Sequence, residues 1–243
     1  MDAHVNPFEK LSIQEIYDGL MGGRFGPRWP EEKLQIGYTG TKGVDLLRRA
    51  FAFTAILDRD GAFAPNWRGL DYGCGWGRFL SVLLEKGPPE QMDGCDAWAR
   101  TIQIVSGLGY KNNIFTVPEL LEFESIAKLK YSFVMSFSVF THLSPIAFER
   151  NIPVLLNSLR QDGTLYITVR HSEFIKHKYP DHEEEYKGIL NKEGILFVDS
   201  GGDLTGEKIF GDTIINSEYL SRFGNTRYLG QPHNLQHVYA IRP

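Results

Sequence analysis

From Trp67 to Val169, short apolar runs alternate with stretches whose apolar residues recur at helical spacing. That alternation predicts successive strand–helix–strand units around a parallel sheet. Strands are expected at Gly69–Tyr72, Gln91–Cys95, Asn113–Thr116, Tyr131–Phe137 and Thr164–Val169, with helices between them at about Arg78–Glu85, Ala97–Leu108 and Ile146–Leu159. Pro153 lies inside the last of these and predicts a kink or a split there. Ahead of this region come a short helical pattern (Ile13, Ile16, Tyr17, Leu20), a Gly/Pro-rich turn region from Met21 to Pro30, and an amphipathic helix over about Val44–Leu57. In that helix Leu47, Ala50, Phe51 and Thr54 share one face, while Asp45, Arg48 and Arg49 fall elsewhere. After Arg170 the chain turns mostly polar with scattered aromatics, then closes with an antiparallel hairpin of Thr226–Leu229 and His237–Ile241. The fold expected is α/β: a doubly wound, seven-stranded, mostly parallel sheet ending in that hairpin. It forms one domain over residues 1–243, with 1–66 as an N-terminal helical cap and 170–224 as an insertion.

Composition narrows the partners. At 243 residues and 42% hydrophobic content, the chain can bury a sizeable core without a second domain. The formal net charge of −4 is spread as mixed signs with no basic block, so nucleic acid is not expected as a partner. No apolar run reaches bilayer-spanning length and the first residues lack the basic start and apolar run of a signal peptide, so a cytoplasmic protein without membrane insertion is expected. Cys74 and Cys95 are too few for a disulfide framework and lack metal-ligand spacing; they read as small reduced thiols. The acidic run Asp181–Glu185 reads as a solvated helix face, and no metal site is expected.

The strongest local signal is Leu70-Asp71-Tyr72-Gly73-Cys74-Gly75-Trp76-Gly77-Arg78-Phe79, a strand entering a glycine-rich turn and then a helix. Such a turn lies where the C-terminal edge of a parallel sheet opens its binding crevice. A dinucleotide fingerprint, G-x-G-x-x-G, would need glycine at 78, where Arg78 stands. That spacing argues against NAD and FAD, and so against a nicotinamide-dependent oxidoreductase. An acid just ahead of a tighter turn suits a ligand without a pyrophosphate but with a free amine, which Asp71 could meet; S-adenosylmethionine carries such an amine. At the end of the next strand, Asp96 is placed to accept both ribose hydroxyls. It is equally placed to cap the following helix, and a carboxylate has oxygens enough for both roles. Trp98 either covers an adenine face or packs at the helix start.

These residues resemble the class I S-adenosylmethionine-dependent methyltransferases over about Trp67–Val169. The acid-x-Gly-x-Gly-x-Gly pattern of that family is matched by Asp71, Gly73, Gly75 and Gly77, and the acid closing its second strand by Asp96. Tyr131–Leu143 resembles its fourth strand and following loop, with Ser138 among the cofactor-binding positions. Gln161-Asp162-Gly163 stands where Pro-Gly-Gly is more usual. Val117-Pro118-Glu119-Leu120 follows the third strand, where the family contacts the adenine; Glu119 or the Leu120 amide would serve, the alternative being a surface loop. More narrowly, Asp71–Phe79, Ser138–Leu143 and Gln236-His237-Val238-Tyr239 resemble bacterial members associated with surface-polysaccharide synthesis, although His237 stands where those ends often carry Asp.

The resemblance implies methyl transfer from S-adenosylmethionine to a small-molecule or glycan acceptor, with residues 170–224 shaping the acceptor pocket. A non-catalytic adenosyl-ligand-binding module on the same fold is the alternative. Such transfer depends mainly on holding donor and acceptor together, with a base where the nucleophile must lose a proton. His142 follows the fourth strand and His171 the fifth. Either is expected to serve as that base, His142 ahead of His171; otherwise His142 packs beneath its loop and His171 is merely exposed. Ser138-Val139-Phe140-Thr141 replaces the Asn/Asp-Pro-Pro-Tyr motif of amino-methylating members, which points to an oxygen nucleophile.

Overall fold

The computed structural model describes residues 4–128, 130–199, 209–233 and 235–243. They form two compact units, up to Val117 and from Pro118 onward. The first begins with helix α1 (Ile13–Gly22), whose start is a reciprocal cap: Ser12 Oγ accepts from the Glu15 amide, and the Glu15 carboxylate accepts from the Ser12 amide at 2.8 Å. Helix α2 (Glu32–Thr39) follows, then α3 (Gly43–Arg59). The buried stripe of α3 holds Leu46, Leu47, Ala50, Phe53, Thr54, Ile56 and Leu57, so Phe53 takes the deep aromatic position while Phe51 is half-buried. Strand β1 (Gly69–Tyr72) pairs in parallel with β2 (Met92–Asp96), Gly69 opposite Met92 and Tyr72 opposite Cys95. On the other side of β2 lies parallel β3 (Ile114–Thr116). Helix α4 (Arg78–Val82) tightens into a 3₁₀ turn over Leu83–Glu85, and α5 (Ala99–Ser106) precedes β3.

In the second unit β4 (Tyr131–Ser136) leads through α6 (Pro145–Asn157) to parallel β5 (Leu159–Val169). Of the kink or split expected at Pro153, the split is absent: α6 runs on through it. Its buried Ala147, Phe148, Asn151, Ile152 and Leu155 offset the one backbone bond that proline removes. Strand β5 begins five residues ahead of the predicted Thr164, because Arg160, Gln161 and Asp162 are exposed and look like a turn in sequence. Beyond it stand α7 (Glu173–Lys178), α8 (Glu183–Glu193), and an antiparallel pair β6 (Ile195–Asp199) and β7 (Gly211–Ile215). Phe174, Ile175, Leu190, Leu196 and Ile214 form a small core of their own there. A short helix α9 (Ser217–Leu220) precedes the closing hairpin of β8 (Asn225–His233) and β9 (Gln236–Arg242), longer at both ends than predicted.

The fold is α/β and Rossmann-like, with a mixed, mostly parallel seven-stranded sheet in the order β3-β2-β1-β4-β5-β9-β8; the β5-β9-β8 edge is antiparallel. No helix among the described residues is long and apolar enough to cross a membrane.

Candidate active site

The turn after β1 is built from backbone that side chains disfavour. Gly73, Gly75 and Gly77 take φ of 77°, 54° and 90°. At Gly77 a Cβ would stand 2.6 Å from the Tyr110 ring, whose hydroxyl donates to the Gly77 carbonyl at 2.7 Å. The amides of Gly73 and Cys74 both donate to the Cys95 carbonyl, tying the turn to the end of β2. Trp76 is buried against Trp29, their rings 5.0 Å apart, and Trp29 donates to Ser81. Tyr38 of α2 lies beside Gly75, 3.7 Å from where its Cβ would be, and its hydroxyl is 3.0 Å from Thr101 Oγ1.

Asp71 is buried at the end of β1, and its Oδ2 has no hydrogen-bond partner among the described residues. Burial pushes its carboxyl up to about 7, opposed by the Arg78 guanidinium and reinforced by Asp96. Arg78 is itself buried and lowered to about 10 by desolvation, with Asp71 holding it up. The residue that breaks the dinucleotide spacing is thus the charge partner of the acid, a role its sequence position did not disclose. Asp96 spans the turn and the next helix: one oxygen accepts from the Gly75 amide at 3.0 Å and the other from the Trp98 amide at 3.0 Å. Burial raises its pKa against those bonds. The helix starts at Ala99 with Trp98 as its cap residue, so Asp96 braces its approach from two residues ahead of the cap position. Trp98 is 36% exposed. Cys74 and Cys95 are buried thiols pushed up by desolvation.

In the second unit the loop carrying Glu119 and Leu120 is clamped by buried Asn151 of α6. Its Nδ2 donates to the Glu119 carbonyl and its Oδ1 accepts from the Leu121 amide, both at 2.8 Å. After β4, Ser138 takes a left-handed φ of 63°, held by its amide donating to Thr168 Oγ1 at 2.7 Å and by Gln236 Nε2 donating to its Oγ at 3.0 Å. Ser136 Oγ and Gln236 Oε1 are buried there without partners among the described residues.

His142, the histidine expected first as a base, has both ring nitrogens occupied. Nδ1 donates to the Gly211 carbonyl at 2.7 Å, which leaves Nε2 to accept from Arg170 at 3.3 Å. The ring stacks on Phe210. Desolvation and the Arg170 charge lower its pKa to about 4. Arg170 in turn donates to Asp212 at 2.5 Å and to the Thr141 carbonyl, while Lys178 and Tyr179 donate to the other Asp212 oxygen. Burial pushes Asp212 up, but Lys178, Tyr179 and Arg170 outweigh it and hold the carboxyl low. This cluster around the buried Asp212 was not foreseen, since Asp212 lies 42 positions from Arg170 in a stretch read as a polar insertion.

His171 is held differently. Nδ1 donates to the Ile215 carbonyl at 2.7 Å, and Nε2 meets the Tyr239 hydroxyl at 2.9 Å. Burial lowers its pKa, with Ile215 opposing and His237 adding to the shift. It borders a cavity of about 430 Å³ that Tyr228, His237 and Tyr239 also line. The acidic run sits at the start of α8, where His182 faces Glu185 and Lys187 pairs with Glu183.

The fold is that of the class I S-adenosylmethionine-dependent methyltransferases. The family described as a methyltransferase domain matches residues 41–240, and the chain belongs to it. Solved structures similar to it include the PH0226 protein of Pyrococcus horikoshii OT3, at 13% identity and a TM-score of 0.59 over 88% of this chain and 100% of that one. A SAM-dependent methyltransferase of Methanosarcina mazei shares 16% identity, with a TM-score of 0.55 over 76% of this chain and 97% of that one. A DhpI–SAM–HEP complex shares 16%, with a TM-score of 0.53 over 87% and 91%. At these identities the likeness is one of fold. No curated protein matches the sequence.

Proposed function

We propose that this chain transfers a methyl group from S-adenosylmethionine to an oxygen nucleophile on a small-molecule or glycan acceptor. The observation that carries the donor half is Asp71: a buried carboxyl with an unpartnered oxygen, beside a turn whose three glycines leave backbone bare. An ammonium group suits that acid, and the tight turn leaves no provision for a pyrophosphate. Asp71, the Gly73–Gly77 turn, Asp96 and Trp98 would hold the cofactor, Asp96 through lone pairs left after its two amide bonds. When bound, S-adenosylmethionine supplies a methyl group activated by its sulfonium.

For the proton of an acceptor hydroxyl we assign His171 in place of His142. A lone pair already held by a guanidinium cannot easily take a proton, whereas the His171 Nε2 lone pair faces a phenol. An acceptor hydroxyl would donate to the Tyr239 oxygen as the Tyr239 proton passes to His171. The chain's likeness to surface-polysaccharide methyltransferases and a cytoplasmic setting are part of the same reading.

Titration calorimetry with S-adenosylmethionine, S-adenosylhomocysteine and NAD tests the donor half. The adenosyl sulfur ligands are expected to bind and NAD is not. Asp96→Ala is expected to weaken them by about 1.5–3 kcal/mol, the range for losing hydrogen bonds to a charged group. Binding of NAD alone would overturn the proposal. Release of S-adenosylhomocysteine with sugar, oligosaccharide or phenol acceptors then separates an enzyme from a binding module.

A further inference from the structure

The cavity beside His171 lies wholly within the second unit, and its hydrogen-bonding groups can be counted. His171 donates through Nδ1 to Ile215, so in its neutral form Nε2 is an acceptor and Tyr239 must give its proton to it. The Tyr239 oxygen then has only lone pairs to offer a ligand. His237 gives Nε2–H to the Glu173 carboxylate, which leaves Nδ1 as an acceptor on the neutral ring. Asn216 spends an amide hydrogen on the Leu190 carbonyl at 3.0 Å, and Glu218 offers only acceptor oxygens. No lysine or arginine lines this cavity among the described residues. Acceptors therefore predominate, joined by the Ser172 and Ser217 hydroxyls and the second Asn216 amide hydrogen, and the wall carries no fixed positive charge.

Aromatic rings form the rest of it. Tyr228 is 51% exposed at the cavity, 5.4 Å from the Tyr239 ring and 5.9 Å from His237. An anionic ligand would face Glu218 with no counter-charge, and a purely apolar ring would strand the acceptors without partners. A ring bearing several hydroxyls satisfies both surfaces, giving an apolar face to the phenol and donors to the acceptors.

We infer that this cavity binds a neutral polyhydroxylated ring of the sugar class, with Tyr228 as its stacking platform and the Tyr239 oxygen receiving one of its hydroxyls. That this ring is the methyl acceptor rests on the transfer reading above; that it binds does not.

Saturation-transfer NMR on the full chain without any donor tests the assignment, using methyl glycosides of common hexoses and deoxyhexoses as probes. Phenyl phosphate and spermidine serve as contrasting probes. At least one glycoside is expected to receive saturation, and Tyr228→Ala, at an exposed site that leaves the core intact, to weaken its binding at least about tenfold. Tyr239→Phe is expected to weaken it while the dispersion of the protein's own spectrum is retained. Saturation of spermidine or phenyl phosphate in place of every glycoside would overturn the assignment, as would glycoside binding that Tyr228→Ala leaves unchanged. Calorimetry with S-adenosylmethionine on the same sample reports the donor reading separately, so either can fail without the other.

Discussion

Asp71 illustrates a residue kept at a cost to stability. In the fold its carboxyl titrates near 7 against an ordinary value of 3.8, so the folded protein prefers it protonated. The penalty for ionising it is absent below the ordinary pKa, grows as pH rises through the interval, and is complete above about 7. A shift of this size corresponds to about 4 kcal/mol at full ionisation. Asp71→Asn is therefore expected to raise the stability of the ligand-free protein at pH 8 and to change it little at pH 4, as read by urea denaturation. The same variant is expected to lose affinity for S-adenosylmethionine, because an amide cannot pair with an ammonium. A variant destabilised at pH 8, or one that binds the cofactor undiminished, would show that Asp71 serves the fold instead.

At the level of elements, the strand-end loops separate what sequence discloses from what it hides. The turn after β1 was legible because three glycines at fixed spacing mark backbone that few other residues adopt. The order of β1 to β5 was legible from the alternation of apolar runs. Helix α2 escaped notice because its low amphipathicity leaves only Gln35 buried, and with it went Tyr38, whose place beside Gly75 has no local signal. The β6–β7 pair was hidden in a stretch read as mostly polar with scattered aromatics, although Ile195, Val198, Thr213, Ile214 and Ile215 are β-branched. The choice between the two histidines could not be read from position, since each follows a strand; it depends on which partner reaches each lone pair. Steady-state turnover decides it. His171→Gln is expected to lower turnover by about 10²- to 10⁴-fold with cofactor affinity retained, the usual cost of losing a general base. His142→Gln, which can still donate to Gly211, is expected to cost far less. The reverse order would restore His142 as the base.

Across the whole molecule, two buried acids of the first unit and two histidines of the second are shifted in opposite directions. Asp71 and Asp96 in the first are raised by burial, whereas His142 and His171 in the second are lowered by it. For the raised acids, the folded state holds more protons than the unfolded chain, so the stability they confer is present at acid pH and lost as pH rises through their folded values. For the lowered histidines the unfolded chain holds more protons. Their contribution is complete above the ordinary value of 6.5 and is lost as pH falls through their lowered folded values, about 4 for His142. Between pH 5 and 7 the two trends oppose each other, and the intact chain is expected to show a shallow dependence that conceals both. Native-state hydrogen exchange, corrected for the intrinsic pH dependence of exchange, exposes them through variants. With Asp71→Asn the acid-favouring contribution is gone, and protection is expected to fall more steeply than in the parent on going from pH 7 to 5. With His142→Gln the opposing contribution is gone, and protection is expected to fall less or to rise over the same interval. Openings confined to one unit would show each effect only in its own strands, β1 and β2 or β4 and β5, while a global opening would spread it over both. Variants whose pH profiles run parallel to that of the parent in every strand would mean that neither buried group titrates as its surroundings dictate.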